Sequence, residues 1–401
     1  MRNLKRFLLA RRRLARRRKA IQRGRQARGD PVGWLRLAQQ TILSRRLLVP
    51  TRSQLNEIES CLFVDPCLGR RRRGAARIRD RTDTADAGLA RVCGRRRGYT
   101  DLKSNFVAGN GILDIGHETI NSIYDAPRSD STWHPMFTGE VNYTFEEQWQ
   151  VFLGTSIEDA VTLDGVTQFG VRKDIGASGV LQGGYLFSGI PTQTWEDPYA
   201  EGVKRKETDR DSSGFRLQWD RVMGSAFQLT FSWRDIAIEK ERSGQGVTSV
   251  PCDVDCQDQL RRDGDQYSFD VSYLFKLGEG SRHLLRPLVR YTSDDREGDA
   301  MSGDSYRLQL SYVFLGEGYT VASNFIYGGS SEDARNPLFG VTADSDRYAV
   351  DATLFYRLPA ESGRWQAVGT ILWGKEDYNI SFYDNEVFNV SLGAMYRFGG
   401  R

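Results

Sequence analysis

From Gly98 onward the chain consists of short segments in which every second residue is aromatic or aliphatic and the residues between are small or polar. Period two marks a strand with two unlike faces. In the first clear segment Phe137, Gly139, Val141, Tyr143 and Phe145 share one face, and Thr138, Glu140, Asn142 and Thr144 share the other. The pattern recurs at Trp149/Val151/Leu153, Thr167/Phe169/Val171, Leu181/Gly183/Tyr185/Phe187, Phe215/Leu217/Trp219 and Phe227/Leu229/Phe231/Trp233. It continues at Tyr267/Phe269/Val271/Tyr273/Phe275, Pro287/Val289/Tyr291 and, through the last third, in five more segments ending with Phe388/Val390/Leu392/Ala394/Tyr396/Phe398. Thirteen strands are predicted in this way, and a partial one over Gly98 to Phe106 makes about fourteen, within a range of twelve to sixteen.

Short links such as Glu146 to Gln148, Asp174 to Ser178 and Leu315 to Gly318 alternate with long polar ones at Gly189 to Ser213, Glu239 to Asp265 and Gly328 to Asp346. That alternation predicts an all-β fold, an up-and-down antiparallel transmembrane β-barrel in the cell outer membrane. The polar face carries Glu140, Asn142, Gln168, Arg172, Arg216, Gln218, Asp220, Gln228, Arg234, Asp270, Arg286, Arg290, Arg307, Gln309 and Asp351. A dry core could not hold so many charges, whereas a water-filled lumen can. Only a closed sheet satisfies every backbone group in lipid. The competing architecture is a soluble β-sandwich whose aromatic face forms the core.

Charge divides the chain. The formal +4 conceals +21 over residues 1–97, which hold 26 arginines, and −17 over the rest. Residues 1–97 show no sustained strand alternation, and the apolar run Phe7 to Ala10 is too short for a secretory signal. This Arg-rich non-barrel segment is expected to be disordered or the product of wrong-frame or mis-started translation, with at most a modest helix over Trp34 to Val49. Nucleic-acid binding is the weaker reading of its charge. The barrel is expected over residues 98–401, and no nucleic-acid partner is expected for it.

The C-terminal alternation through Tyr396 and Phe398 resembles the terminal strand that the assembly machinery of bacterial outer membranes recognises, although Gly399 to Arg401 extend beyond it. More specific are Ile190-Pro-Thr-Gln-Thr-Trp-Glu-Asp-Pro-Tyr199, Lys204 to Arg210, Ser212-Ser213-Gly214 and Ile238 to Gly244, with Leu153 to Ser156 and Phe169 to Arg172. Over residues 98–401 the chain is similar to a family of Gram-negative proteins carrying a domain of unknown function. The resemblance implies an outer-membrane barrel in contact with lipid and lipopolysaccharide, with a first strand ending near Ser104 to Phe106. It implies no reaction.

Candidate chemistry is sparse. Three histidines exist, His117 and His134 in the expected first long loop and His283 in an expected short periplasmic turn, too few and too dispersed for a histidine metal site. A hydrolase reading would join His117 or His134 to Ser129 or Ser131 and a carboxylate at one rim. Trp195, Glu196, Asp197 and Tyr199 form a candidate latch or constriction, with the acids expected to meet Lys204, Arg205, Lys206 and Arg210. Cys252 and Cys256 are expected to form a local disulfide, with calcium at Asp253, Asp255 and Asp258 as a minority reading. Candidate pore-lining residues are Arg172, Arg216, Arg234, Asp270, Arg286, Arg290, Arg307 and Asp351. Their balance predicts a porin-like channel for small hydrophilic solutes with a weak preference for anions. The alternatives are a plugged structural or adhesion barrel and, less favoured, an outer-membrane hydrolase. No cofactor is implied, and copy number is left open.

Overall fold

The computed structural model describes residues 88–145, 148–155, 165–359 and 364–398. The readings made for residues 1–87, the helix over Trp34 to Val49 included, lie outside the described residues. Fourteen antiparallel strands form the wall. They are β1 (Gly88–Lys103), β2 (Ser129–Thr144), β3 (Trp149–Thr155), β4 (Gly165–Asp174), β5 (Val180–Ile190), β6 (Glu207–Asp220) and β7 (Phe227–Ile238). Next come β8 (Gly264–Tyr273, resumed over Phe275–Leu277), β9 (His283–Arg296), β10 (Gly303–Leu315), β11 (Tyr319–Arg335), β12 (Thr342–Arg357), β13 (Trp365–Tyr378) and β14 (Asn385–Phe398). Each pairs with its neighbours in sequence, and β1 pairs with both β2 and β14, so the sheet closes and leaves no free edge.

The first strand departs from expectation. It begins at Gly88, ten residues before the boundary drawn at Gly98, and Arg95 to Arg97 are strand residues. Closure requires this, because β2 offers partners from Ser129 to Thr144, and Gly88 pairs with Thr144. The long link expected over Gly328 to Asp346 is likewise mostly strand, with only 336–341 between β11 and β12. Above the lipid a strand has no apolar face to show, so Ser330 and Ser345 pair by hydrogen-bonded hydroxyls and the period-two signal vanishes. The same effect hid the start of β2, which contains His134 rather than leaving it in a loop.

Large apolar side chains alternate outward all round the wall, among them Phe137, Leu153, Phe169, Leu217, Phe325 at 58% exposed and Leu392 at 69%. Rings gather at the end bearing the short turns, where Tyr143 and Phe145 lie 4.8 Å apart, Tyr273 and Phe275 4.6 Å, and Tyr396 and Phe398 4.4 Å. A second girdle includes Tyr99 with Trp133 at 5.3 Å and Tyr348 with Trp373 at 5.7 Å. An apolar band between two aromatic girdles is the surface of an outer-membrane barrel, with the short turns on the periplasmic side.

Candidate functional site

The long connections form a cap over the extracellular mouth. Thr192–Trp195 of the β5–β6 connection pairs with the start of β6 and with Val107–Asn110 from the β1–β2 connection. Beneath and around it lies a cluster of Ile120, Ile123, Tyr199, Cys256, Leu260, Leu338, Ile380, Phe382 and Tyr383, with Phe106 and Phe339 packed against it. Phe106 sits edge-on to Tyr383 at 5.0 Å and to Tyr199 at 5.8 Å. The Tyr199 and Tyr383 hydroxyls are 2.6 Å apart, and Asn336 Nδ2 donates to Tyr383. Complete burial pushes both phenols up and keeps them neutral.

The four latch candidates are all buried, Trp195 at 1% exposed and Tyr199 at 0%. Their partners differ from those expected. The Asp197 carboxylate accepts backbone N–H bonds from Tyr199 at 3.0 Å, Gly244 at 3.0 Å and Gly246 at 2.6 Å. Glu196 meets Lys240 at 3.8 Å and Arg242 at 3.6 Å. Lys204 instead reaches Glu118 at 2.9 Å. Arg205 covers the Trp195 ring at 4.4 Å and donates to the carbonyls of Asn105 and Pro198, both at 2.9 Å, and of His117. For Asp197 and Arg205 the reason is desolvation: a buried charge is held by several fixed donors or acceptors rather than by a flexible partner in water, whereas Glu196 keeps exposed cations, supplied by the β7–β8 connection. Burial lowers Arg205 to about 10, opposed by the charge of Asp197. Burial likewise raises Asp197, and its three N–H donors pull it back.

Sequence reasoning missed two further ties. Arg262 donates to Glu241 at 2.8 Å, to Thr194 Oγ1 at 2.9 Å and to the Trp195 carbonyl at 2.7 Å. Glu201 accepts from Ile123 N–H at 2.9 Å, from the N–H and hydroxyl of Thr248 at 2.8 and 2.9 Å, and from Ser249 N–H at 2.8 Å. Burial pushes the Glu201 carboxyl up, but these donors outweigh it and hold it at about 2. The available signal was apolar residues in otherwise polar loops: Ile120, Ile123, Leu338, Phe339, Ile380 and Phe382 stand above the lipid and need another core.

Cys252 and Cys256 are joined by a disulfide. Asp253 caps the short helix α1 (Val254–Gln259) by accepting from Cys256 N–H at 3.0 Å, so it serves the backbone rather than calcium. Among the described residues no group of three or more His, Cys, Asp or Glu could hold a metal. The hydrolase constellation does not assemble: His117 meets the Ser129 carbonyl at 3.0 Å, Ser129 Oγ donates to Asp101 at 2.6 Å, and His134 lies inside the barrel, 2.8 Å from the Thr100 hydroxyl. His283 is not in the short turn but is the first residue of β9, paired with Phe314 and 2.7 Å from the Tyr312 hydroxyl.

Below the cap the lumen holds a chamber of about 660 Å³. All eight pore-lining candidates lie on the inward positions of their strands, but only Arg286, Arg307 and Asp351 border this chamber. Arg172 is instead tied to Glu140 at 3.0 Å, Gln150 at 2.8 Å and Gln182 at 2.7 Å. Asp270 holds Arg290, Gln266 accepts from Arg234 at 2.6 Å, and Arg216 is buried in the wall. Asn324 donates to both oxygens of Asp351 at 2.9 and 3.0 Å. Arg96, His134, Arg347 and Arg397 also border the chamber and were not foreseen. Arg96 lies in the middle of β1, within the segment expected to be outside the barrel, and Arg397 is the inward position between Tyr396 and Phe398.

Among solved structures the chain is similar to in-vitro folded OmpT, an outer membrane protein of Vibrio cholerae, at 11% identity over 79% of this chain and 98% of that one, with a TM-score of 0.38. It is also similar to an anion-selective porin from Comamonas acidovorans, at 9% identity, 78% and 99% coverage and a TM-score of 0.34. A third likeness is to Pseudomonas aeruginosa OccK3, at 11% identity, 77% and 95% coverage and a TM-score of 0.34. The architecture described above stands on strand register and closure, independently of these likenesses. No curated protein matches the sequence. Residues 95–397 match the family described as "Protein of unknown function (DUF2860)", and the chain belongs to that family.

Proposed function

We propose that this barrel is a capped channel that admits small hydrophilic solutes, with a weak preference for anions, when the loop cap moves. The observation that carries the reading is the chamber of about 660 Å³ enclosed by the strand wall beneath the cap, a volume suited to one small molecule with its water. A barrel kept only as a scaffold would gain nothing by leaving that volume unfilled. The anion preference rests on the arginines at the chamber wall, Arg286 and Arg307 among them, and it is weak because Glu332, Asp351, Glu376 and Glu386 border the same chamber.

A specific observation favours a second reading, a closed surface-interaction barrel: the cap has its own apolar core joined from five connections. Planar-bilayer conductance separates the two. The wild type is expected to show rare openings, and Tyr199→Ala, which removes the ring stacked on Phe382 at 5.4 Å, is expected to conduct frequently. Silence of both proteins at all voltages, with the variant shown to be folded, would overturn the channel in favour of the closed barrel.

A further inference from the structure

The chamber wall carries a feature that a purely aqueous pore does not need. Following the sheet register from β1 to β9, the linked inward positions are Leu102, Val387, Gly374, Ala349, Ile326, Gln309 and Leu288. Five of these seven are apolar side chains along one register line, which runs from beside the cap at Leu102 down to the middle of β9 at Leu288, and all five border the chamber. Leu102 and Val387 also support Leu113 and Ile115 of the β1–β2 connection, whereas Ala349, Ile326 and Leu288 lie on strands farther round. Polar inward positions such as Ser311 and Asn324 follow on the same strands, and inward apolar side chains recur beyond them at Val313, Phe355, Val368, Leu372 and Met395. Apolar groups bordering water gain only when something apolar covers them.

Two cations flank this tier, and one acid, Asp351, lies two residues from Ala349 toward the periplasm, bonded to Asn324. Arg286 lies two residues from Leu288 toward the periplasm, and Arg307 lies two residues from Gln309 toward the cap. Arg286 is fixed by its bond to Ser272 Oγ at 2.9 Å, which leaves its guanidinium face pre-oriented rather than swinging. At the cap side Phe106, Met301 and Tyr383 border the chamber together with the charged Glu332, Arg347, Glu376 and Glu386.

We infer that the chamber is a binding site for a small organic anion with an apolar body, its acid group at Arg286 or Arg307 and its body against Leu288, Ile326 and Ala349. This deepens the channel reading by naming the solute class, and it rests on that reading for its biological use. An inorganic ion would use the arginines but not the tier, and a neutral sugar would use neither.

The probes are hexanoate, acetate and hexanamide, titrated calorimetrically into the full-length folded barrel. Hexanoate is expected to bind at least about 10-fold more tightly than acetate, which lacks the body, or hexanamide, which lacks the charge. Arg286→Gln or Arg307→Gln should weaken hexanoate about 10-fold, Arg→Lys at the same positions should retain most of the binding, and Ile326→Asn should bring hexanoate down to the level of acetate. Equal binding of acetate and hexanoate, or arginine variants indistinguishable from wild type, would overturn the inference. Vesicle permeation distinguishes the two levels. Glucose and hexanoate passing equally, without saturable binding, removes the site and leaves the channel. Saturable hexanoate binding in a barrel that passes nothing, cap-loosened or not, supports the site and removes the channel.

Discussion

Glu201 ties three connections through one carboxylate, since Ile123 belongs to the β1–β2 link and Thr248 and Ser249 to the β7–β8 link. Its folded value of about 2 lies below the ordinary glutamate value of 4.5, so its stabilisation of the cap is present above about pH 4.5 and is lost as pH falls toward 2. Asp197 acts in the opposite sense, because its raised value means that acidification relieves a buried charge. Cap opening, read as channel conductance or as proteolysis of 239–263, is therefore expected to rise between pH 4.5 and 2 in wild type. Glu201→Gln should remove that acid step and weaken the cap at neutral pH by about 1–3 kcal/mol, the cost of unpaired buried donors. An unchanged acid profile in the variant would refute the assignment. At this scale legibility was uneven. The run from Trp195 to Tyr199 stood out because aromatics, acids and proline rarely gather in a solvated loop, but a lone Glu201 gives no such sign. Its role depends on donors brought from remote parts of the chain.

Strands were legible where they cross lipid and illegible where they leave it. Between the girdles, Phe325 and Tyr327 alternate with Asn324 and Ile326, and period two is enforced by two solvents. Beyond the girdles Ser330 to Arg335 of β11 still pair or extend, yet water bathes both faces and the sequence loses its rhythm. β1 shows the reverse conflict: its backbone pairs fully, but Arg95 and Arg97 face outward, opposite Phe137 and Leu392 and on the periplasmic side of the Tyr99–Trp133 girdle. An arginine on the lipid face near the midplane costs about 2–4 kcal/mol, less where the side chain snorkels to headgroups. Arg95→Leu with Arg97→Leu should accordingly raise the denaturant midpoint of the barrel in vesicles, by an amount equivalent to about 2 kcal/mol or more. No gain would mean that those guanidinium groups already reach water or an anionic partner.

The whole molecule is organised by three environments: lipid outside the wall, water and polar networks within, and a separate apolar core in the cap. The cap cluster draws on residues near Phe106, Ile123, Tyr199, Leu260, Leu338 and Phe382, all outside the lipid-crossing parts of the strands. Since the wall is closed by continuous backbone pairing and the cap by side-chain burial with only short backbone pairings at 107–110 and 192–195, the two should open as separate cooperative units. Hydrogen exchange is expected to show amides of 104–128, 191–206 and 239–263 exchanging together, well before those of β9 to β14. Tyr199 has its ring stacked on Phe382 and its hydroxyl bonded to Tyr383, so Tyr199→Ala should lower the cap's opening free energy by about 3–5 kcal/mol. The wall's own unfolding midpoint should stay in place, because no strand pairing involves that residue. If wall and cap amides exchanged in a single step, or if the variant destabilised both equally, the barrel could not open its mouth without unfolding, and a moving cap would no longer be a route for solutes.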